Sequence, residues 1–328
     1  MLRIVLDCDP GVDDAWAILH ALGDPGLELA GITTVAGNAG LGATTANALR
    51  LCEFAGADVP VVAGNAVPLG GGPLTGDVAG AGGVHGAGGL GEARLPAPVT
   101  RPRDGHAADF LVETVGAAPG EVTIVATGPL TNVALALRRR PALAEEARDV
   151  VVMGGSLGAG NATPYAEFNI AADPEAAALV FAAGRPVTMV GLDVTLRFRT
   201  GAGVLERVRR LGPLARDLLL PALAGYRDDQ APDGSGAAAG RPMHDVCATA
   251  LVADPGLFRC RPARVHVETA DPVTAGRTVA DFGAADPNAR VAEALDAGAA
   301  WDRVLAAYAR LASRMAARGD AAGQAGRS

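Results

Sequence analysis

Four carboxylates crowd the run Asp7-Cys8-Asp9-Pro10-Gly11-Val12-Asp13-Asp14, which follows directly on the apolar, strand-like Leu2-Arg3-Ile4-Val5-Leu6. Alternate residues of an extended chain share a face, so Asp7 and Asp9 point to one side and Cys8 to the other. Pro10-Gly11 turns the chain, and Asp13 and Asp14 open a helix whose apolar face is Trp16, Ile18, Leu19 and Leu22. Several carboxylates therefore converge at one strand end. Two of them, ionised and about 5 Å apart, repel by roughly 3 kcal/mol at an effective dielectric of about 20. That is a large part of the roughly 5–15 kcal/mol that holds a domain together. A helix N-terminus favours an anion by only about 1 kcal/mol, whereas a hard divalent cation held by several oxygens can offset the whole repulsion. Any one of these aspartates reads well as a helix-start or loop acid; four together read better as a metal site. Oxygen donors suit calcium or magnesium rather than zinc.

Such a cluster needs a rigid frame. Strand-like apolar runs alternate with helix-like stretches, the pattern of an α/β fold with a mostly parallel central sheet covered by helices on both faces. Strands are expected at 2–7, 28–35, 59–63, 121–126, 149–153 and 187–192, and helices near 13–22, 39–55, 105–117, 129–138 and 174–183. The second half reads as more helical, with candidates at 203–211, 213–228, 243–253 and 298–316 and a strand pair at 263–269 and 276–282. We read a single domain over 1–316 and a polar, disordered tail over 317–328. Two segments break the regularity: 70–91, where half the positions are glycine, and 229–242. Each reads as a lid or as a plain surface linker. In parallel α/β sheets ligands bind beyond the carboxyl ends of the strands, which is where the aspartates fall.

Composition narrows the chemistry. A chain of 328 residues, 49% hydrophobic and 20% charged, is globular and long enough for a deep core. No uninterrupted apolar run reaches the roughly 20 residues that a membrane span needs. The amino terminus carries no basic leader or cleavage site, so a cytoplasmic location is expected. The net charge of -8 argues against nucleic acid as partner, leaving small molecules and cations. Every basic residue is arginine; without lysine there is no Schiff base, pyridoxal phosphate anchor or Walker phosphate loop. Cys8, Cys52, Cys247 and Cys260 are too scattered for a zinc knuckle or a disulfide framework and are expected as buried free thiols.

Further motifs follow the aspartates in order. They are Thr33-Thr34-Val35-Ala36-Gly37-Asn38, then Ala126-Thr127-Gly128-Pro129-Leu130-Thr131-Asn132, Met153-Gly154-Gly155, Asn161-Ala162-Thr163-Pro164-Tyr165-Ala166-Glu167-Phe168-Asn169 with Asp173-Pro174-Glu175, and Met243-His244-Asp245. With Asp7 to Asp14 they resemble the inosine-uridine nucleoside hydrolase family over most of the chain. The resemblance implies hydrolysis of the N-glycosidic bond of ribonucleosides, with calcium held by Asp9, Asp14, Asp245 and the carbonyl of Thr127. It further implies Asp9 as the general base, Asp7 behind the ligands as an orienting acid, and a ribose gripped by Asp13, Asn38, Asn161, Glu167 and Asn169. On the base side it implies His244 as general acid, His85 on a loop over the site, and Tyr226 with Arg227 and Gln230 near the nucleobase. Members of the family are usually homodimers or homotetramers. Two other readings compete. A phosphatase of the haloacid dehalogenase type also begins D-x-D after a first strand, but needs a lysine that is absent here. A calcium-dependent nucleoside or sugar-binding protein would keep the ligands and need neither Asp9 as base nor His244 as acid.

Overall fold

Strand β1 (Leu2–Cys8) is buried from Ile4 onward and delivers the chain into helix α1 (Val12–Gly23). Then come β2 (Leu27–Thr34), α2 (Leu41–Ala55), β3 (Val61–Ala63), α3 (Ala107–Gly116), β4 (Val122–Ala126), α4 (Thr131–Arg139) and α5 (Leu143–Glu146). They are followed by β5 (Asp149–Met153), α6 (Phe168–Ala172), α7 (Pro174–Phe181), β6 (Val187–Val190) and α8 (Leu192–Thr195). The computed structural model describes residues 1–71, 84–86, 88–226 and 240–325, with side chains to 318. Within them the second half holds α9 (Ala202–Val208), a π-helical turn at Ala215–Leu219, α10 (Leu220–Ala224) and α11 (His244–Ala253). It ends with β7 (Phe258–Val267), β8 (Thr278–Asp281), β9 (Ala289–Leu295) and α12 (Ala297–Ala325). No described helix is long and apolar enough to cross a membrane.

The nine strands form one sheet in the order β3-β2-β1-β4-β5-β6-β9-β7-β8. The pairs from β3 through β6 to β9 are parallel, and β7 runs antiparallel to both β9 and β8. The chain builds outward from β1 to β3, then crosses back to lay β4 on the other side of β1. That reversal opens a crevice at the carboxyl ends of β1 and β4, the place where open α/β sheets bind ligands. One face of the sheet packs against α1, α2, α11 and α12 through a core that includes Trp16, Leu51, Val246 and Tyr308. The other packs against α3, α4 and α7 through Leu111, Val133 and Phe181.

The mostly parallel sheet flanked by helices is as expected, and the six expected parallel strands are present. Besides the short helices α5, α6 and α8, which the sequence does not predict, three elements differ. β9 is an additional strand, inserted between β6 and β7. The single helix expected over 213–228 is broken into a π turn and α10, with Pro221, which has no N–H to give, in the first turn of α10. The last helix continues past 316 to Ala325. Trp16 and Trp301 meet edge to face with centroids 6.1 Å apart inside the core. All four cysteines are free; Cys260 is half-buried and the others are buried.

Candidate active site

The aspartates sit where β1 hands over to α1. Asp7, the next-to-last residue of β1, pairs in register with Thr33 of β2 and Ala126 of β4. Its Oδ1 accepts from Thr33 Oγ1 at 2.5 Å and Asn132 Nδ2 at 2.8 Å, and its backbone carbonyl accepts from Thr127 N at 2.8 Å. Asp7 therefore faces away from the cluster and fixes the neighbouring strand ends. Asp9 lies just past the strand; its Oδ2 accepts from Asn38 N at 2.6 Å. Asp14 Oδ2 reaches back to the Gly11 N–H at 2.9 Å and so helps start α1, while its Oδ1 accepts from Thr127 Oγ1 at 2.9 Å. Asp245 is the second residue of α11, and its carboxylate lies beside that of Asp14. One carboxylate oxygen from each of Asp13, Asp14 and Asp245 falls within 4.8 Å of the others. Oxygens on one calcium, at roughly 2.3–2.6 Å each, are at most about 5 Å apart. The grouping includes Asp13, which the sequence reading gives to ribose.

All of these carboxylates are buried, and among the described residues no arginine pairs with Asp9, Asp13, Asp14 or Asp245. Burial first, and then the charges of the neighbouring aspartates, hold Asp9 and Asp245 well above the usual carboxylate range. Burial and Asp14 push Asp13 up to about 7. Asp9 Oδ1 and Asp7 Oδ2 are buried without a hydrogen-bond partner. A set of acceptors packed together, one of them unsatisfied, is stable as charged groups only around a cation that all of them can reach.

On the far side of Asp13 the surroundings change. The Tyr226 hydroxyl lies 3.5 Å from Asp13 Oδ2, His85 Nδ1 lies 3.9 Å from Asp13 Oδ1, and the backbone N–H of His244 donates to the same carboxylate. The His85 and Tyr226 rings are 5.1 Å apart by centroids. Val12 N donates to His85 Nδ1 at 3.0 Å, so that nitrogen is an acceptor and the His85 proton is on Nε2. Burial and the nearby His244 lower the His85 pKa to about 3, keeping it neutral. His244 is the first residue of α11, and its Nδ1 is 2.7 Å from Thr195 Oγ1 at the end of α8. As neighbours on a helix, His244 and Asp245 diverge by about 100°, and the two face different halves of the site.

The profile described as inosine-uridine preferring nucleoside hydrolase matches residues 4–302. The chain belongs to the inosine-uridine preferring nucleoside hydrolase family. It is 40% identical over 315 residues to the inosine-uridine preferring nucleoside hydrolase of Crithidia fasciculata, covering 94% of this chain and 98% of that one. It is 42% identical over 284 residues to a pyrimidine-specific ribonucleoside hydrolase of Citrobacter koseri, covering 86% and 88%. A purine-preferring ribonucleoside hydrolase from Gardnerella vaginalis superposes with a TM-score of 0.86 at 32% identity, covering 94% of this chain and 99% of that structure. This nucleoside hydrolase is accordingly an enzyme that cleaves the N-glycosidic bond of ribonucleosides with water, and its buried aspartates match the family's calcium site.

Within this hydrolase the other expected site residues take more specific places. Asn38 is wedged among the aspartates, its Nδ2 donating to Asp14 Oδ2 at 3.1 Å and to the Asp9 carbonyl at 3.3 Å. Asn169 spends its amide on the carbonyls of Thr127 at 2.9 Å and Met153 at 3.1 Å. Glu167 caps α6, accepting from the backbone N–H groups of Asn169, Ile170 and Gly155, and burial raises its pKa to about 7. Asn161 Oδ1 accepts from Phe168 N at 2.7 Å in the loop that leads to α6. Arg227 and Gln230 lie outside the described residues, as does most of the glycine-rich segment. Four groups essential to the arrangement have no role assigned from the sequence, although Gly37, Gly128 and Asn132 lie within its motifs. A Cβ on Gly37 would meet Asp9 Oδ2 at 2.0 Å and one on Gly128 would meet Asp9 Oδ1 at 2.7 Å, so Asp9 fits only between two glycines. Asn132 braces Asp7, and Thr195 holds His244.

Proposed function

We propose that Asp9, Asp14, Asp245 and the carbonyl oxygen of Thr127 hold the calcium, and that Asp9 takes the proton from the attacking water as His244 gives one to the departing base. The contrast between the two sides of Asp13 carries this reading: clustered carboxylates on one side, ring nitrogens and a phenol on the other. N-glycoside hydrolysis passes through a ribosyl cation and needs help on both faces. Calcium, when bound, lowers the pKa of a coordinated water and orders the ribose diol. Asp9 suits the base role because Gly37 and Gly128 leave room for its carboxylate and its Oδ1 has no hydrogen-bond partner among the described residues. Negative charge around the crevice favours the ribosyl cation as it forms.

His244 suits the acid role. Thr195 Oγ1 holds the ring through Nδ1, and Nε2 delivers the proton. Asp13 grips ribose with whichever carboxylate lone pairs Tyr226 and the His244 N–H leave, and Asn38, Asn161, Glu167 and Asn169 support the sugar through the oxygens their amides and carboxylates still offer. Asp7 orients this assembly from behind. His85 and Tyr226 face the nucleobase, with no tryptophan to stack on it, because Trp16 and Trp301 are buried in the core. A base held by polar groups and a tilted phenol admits pyrimidines and hypoxanthine alike.

The cytoplasmic homodimer or homotetramer implied by the resemblance, acting on a small ribonucleoside without nucleic acid, completes the proposal, and light scattering after size exclusion checks the assembly. The reaction is tested by incubating the purified protein with added calcium and a panel of uridine, cytidine, inosine, adenosine and guanosine and following reducing sugar. Release from uridine and inosine is expected, and no release from any of the five would overturn the proposal.

A further inference from the structure

The amino ends of β5, β6 and β9 lie at the opposite end of the sheet from the aspartates, which follow the carboxyl end of β1. There they frame a cavity of ≈ 350 Å³. Leu137 of α4, Val180 of α7 and Pro262 of β7 give it apolar walls, and Arg148, Arg185 and Arg290 stand around it with a single acid, Asp149. Asp149 is already committed. Its carboxylate accepts from Arg290 Nη2 at 2.5 Å, from Val150 N at 2.9 Å and from Thr188 Oγ1 at 3.2 Å. Arg185 donates to the Glu145 backbone carbonyl at 3.1 Å, and among the described residues neither Arg185 nor Arg148 pairs with a carboxylate.

Two guanidinium groups with unfilled donors thus border an apolar hollow at the lower end of the size range of small-molecule sites. An apolar body alone would leave the guanidinium donors to water, and a bare inorganic anion would leave the walls wet. A carboxylate matches the planar fork of a guanidinium, and a flat ring fills the hollow. We propose that this cavity is a second binding site, for a small organic carboxylate with an apolar body of one or two rings.

The probe is 2-naphthoate, with its neutral analogue 2-naphthamide and inorganic phosphate as controls, titrated calorimetrically into the calcium-loaded full-length protein. Saturable binding of one naphthoate per chain is expected, with the amide weaker by about tenfold or more, the worth of a charge-assisted hydrogen bond. The double variant Arg148→Gln, Arg185→Gln changes only exposed side chains. It should fold, keep its nucleoside hydrolysis and bind naphthoate no better than the amide. Asp14→Asn, which damages the aspartate cluster, should leave naphthoate binding unchanged. No saturable naphthoate binding, equal affinity for acid and amide, phosphate binding as tight as naphthoate, undiminished binding by the double glutamine variant, or loss of binding in Asp14→Asn would each overturn the proposal.

Discussion

Withdrawing calcium should make this protein lose stability as pH rises, the reverse of ordinary acid denaturation. Asp13 shows the size of the effect. Burial and the charge of Asp14 raise its pKa from 3.8 to about 7, despite hydrogen bonds from the backbone N–H of His244 and from Tyr226 that lower it. In the unfolded chain an aspartate releases its proton near 3.9. Between those values the native state binds more protons than the unfolded one, so native stability falls with rising pH. It is complete below about pH 4 and lost by about pH 7. A shift of roughly three units at about 1.36 kcal/mol each is on the order of 4 kcal/mol from this one residue. Asp9 and Asp245 shift in the same direction. At roughly 2 °C per kcal/mol, the Asp13 contribution alone moves Tm by about 8 °C. Calorimetric scans of calcium-free protein from about pH 4 to pH 8 should show Tm falling by at least that much, while calcium-saturated protein falls much less and calcium-free Asp13→Asn falls less steeply than wild type. A calcium-free Tm that is flat or rises over this range would refute the account of a cluster held together by its cation.

Three further outcomes follow from single contacts. Gly37→Ala places a Cβ 2.0 Å from Asp9 Oδ2 and must displace that carboxylate; steady-state hydrolysis of uridine or inosine should drop by about 10²-fold or more, and wild-type kcat would show that Asp9 is not needed where it sits. His244→Ala should keep its calcium by titration and lose about 10²–10⁴-fold in rate on natural nucleosides, but much less on a riboside whose leaving group needs no proton; equal losses would remove His244 from the acid role. Arg303→Ala leaves Asp24, only 1% exposed at its side chain, without the guanidinium 2.8 Å away. Urea unfolding should record a loss of about 3–5 kcal/mol. Because its partners, His20 among them, lower the Asp24 pKa, that loss should be present above about pH 4 and vanish as pH falls below it; a loss independent of pH would mean that packing, not charge, is what Arg303 supplies.

The elements legible in the sequence are those whose apolar pattern admits one reading. β1, β4, β5 and β6 are short apolar runs between turn residues, and a strand buried on both faces looks like nothing else of that length. β9 is different. Its Ala289-Arg290-Val291-Ala292-Glu293-Ala294-Leu295 is rich in good helix formers, with opposite charges three apart, and read alone it favours a helix. It is a strand because β6 and β7 pair with it on either side. Hydrogen bonds to two neighbours outweigh a propensity of a few tenths of a kcal/mol per residue, and those neighbours lie 30 or more residues away or across a reversal of direction.

The same distinction separates the legible half of the site from the rest. Asp9, Asp13 and Asp14 are close in sequence, so their mutual repulsion can be reasoned without coordinates. The pieces that make the repulsion useful arrive from other loops. Gly37 and Gly128 act by lacking a side chain, and in the sequence they are two among 44 glycines. Thr195 becomes significant only because α8 ends against the first turn of α11, where its Oγ1 meets His244 Nδ1. Asn38, Glu167 and Asn169 show the converse: their residue types suit a polyol, yet much of their hydrogen-bonding capacity goes to the protein itself, to the carbonyls of Asp9, Thr127 and Met153 and to the first turn of α6. Their first contribution is to hold the oxygens of Asp14 and Thr127 still. A polar residue near an active site thus discloses its chemistry only after its donors and acceptors have been counted, and that count requires the fold.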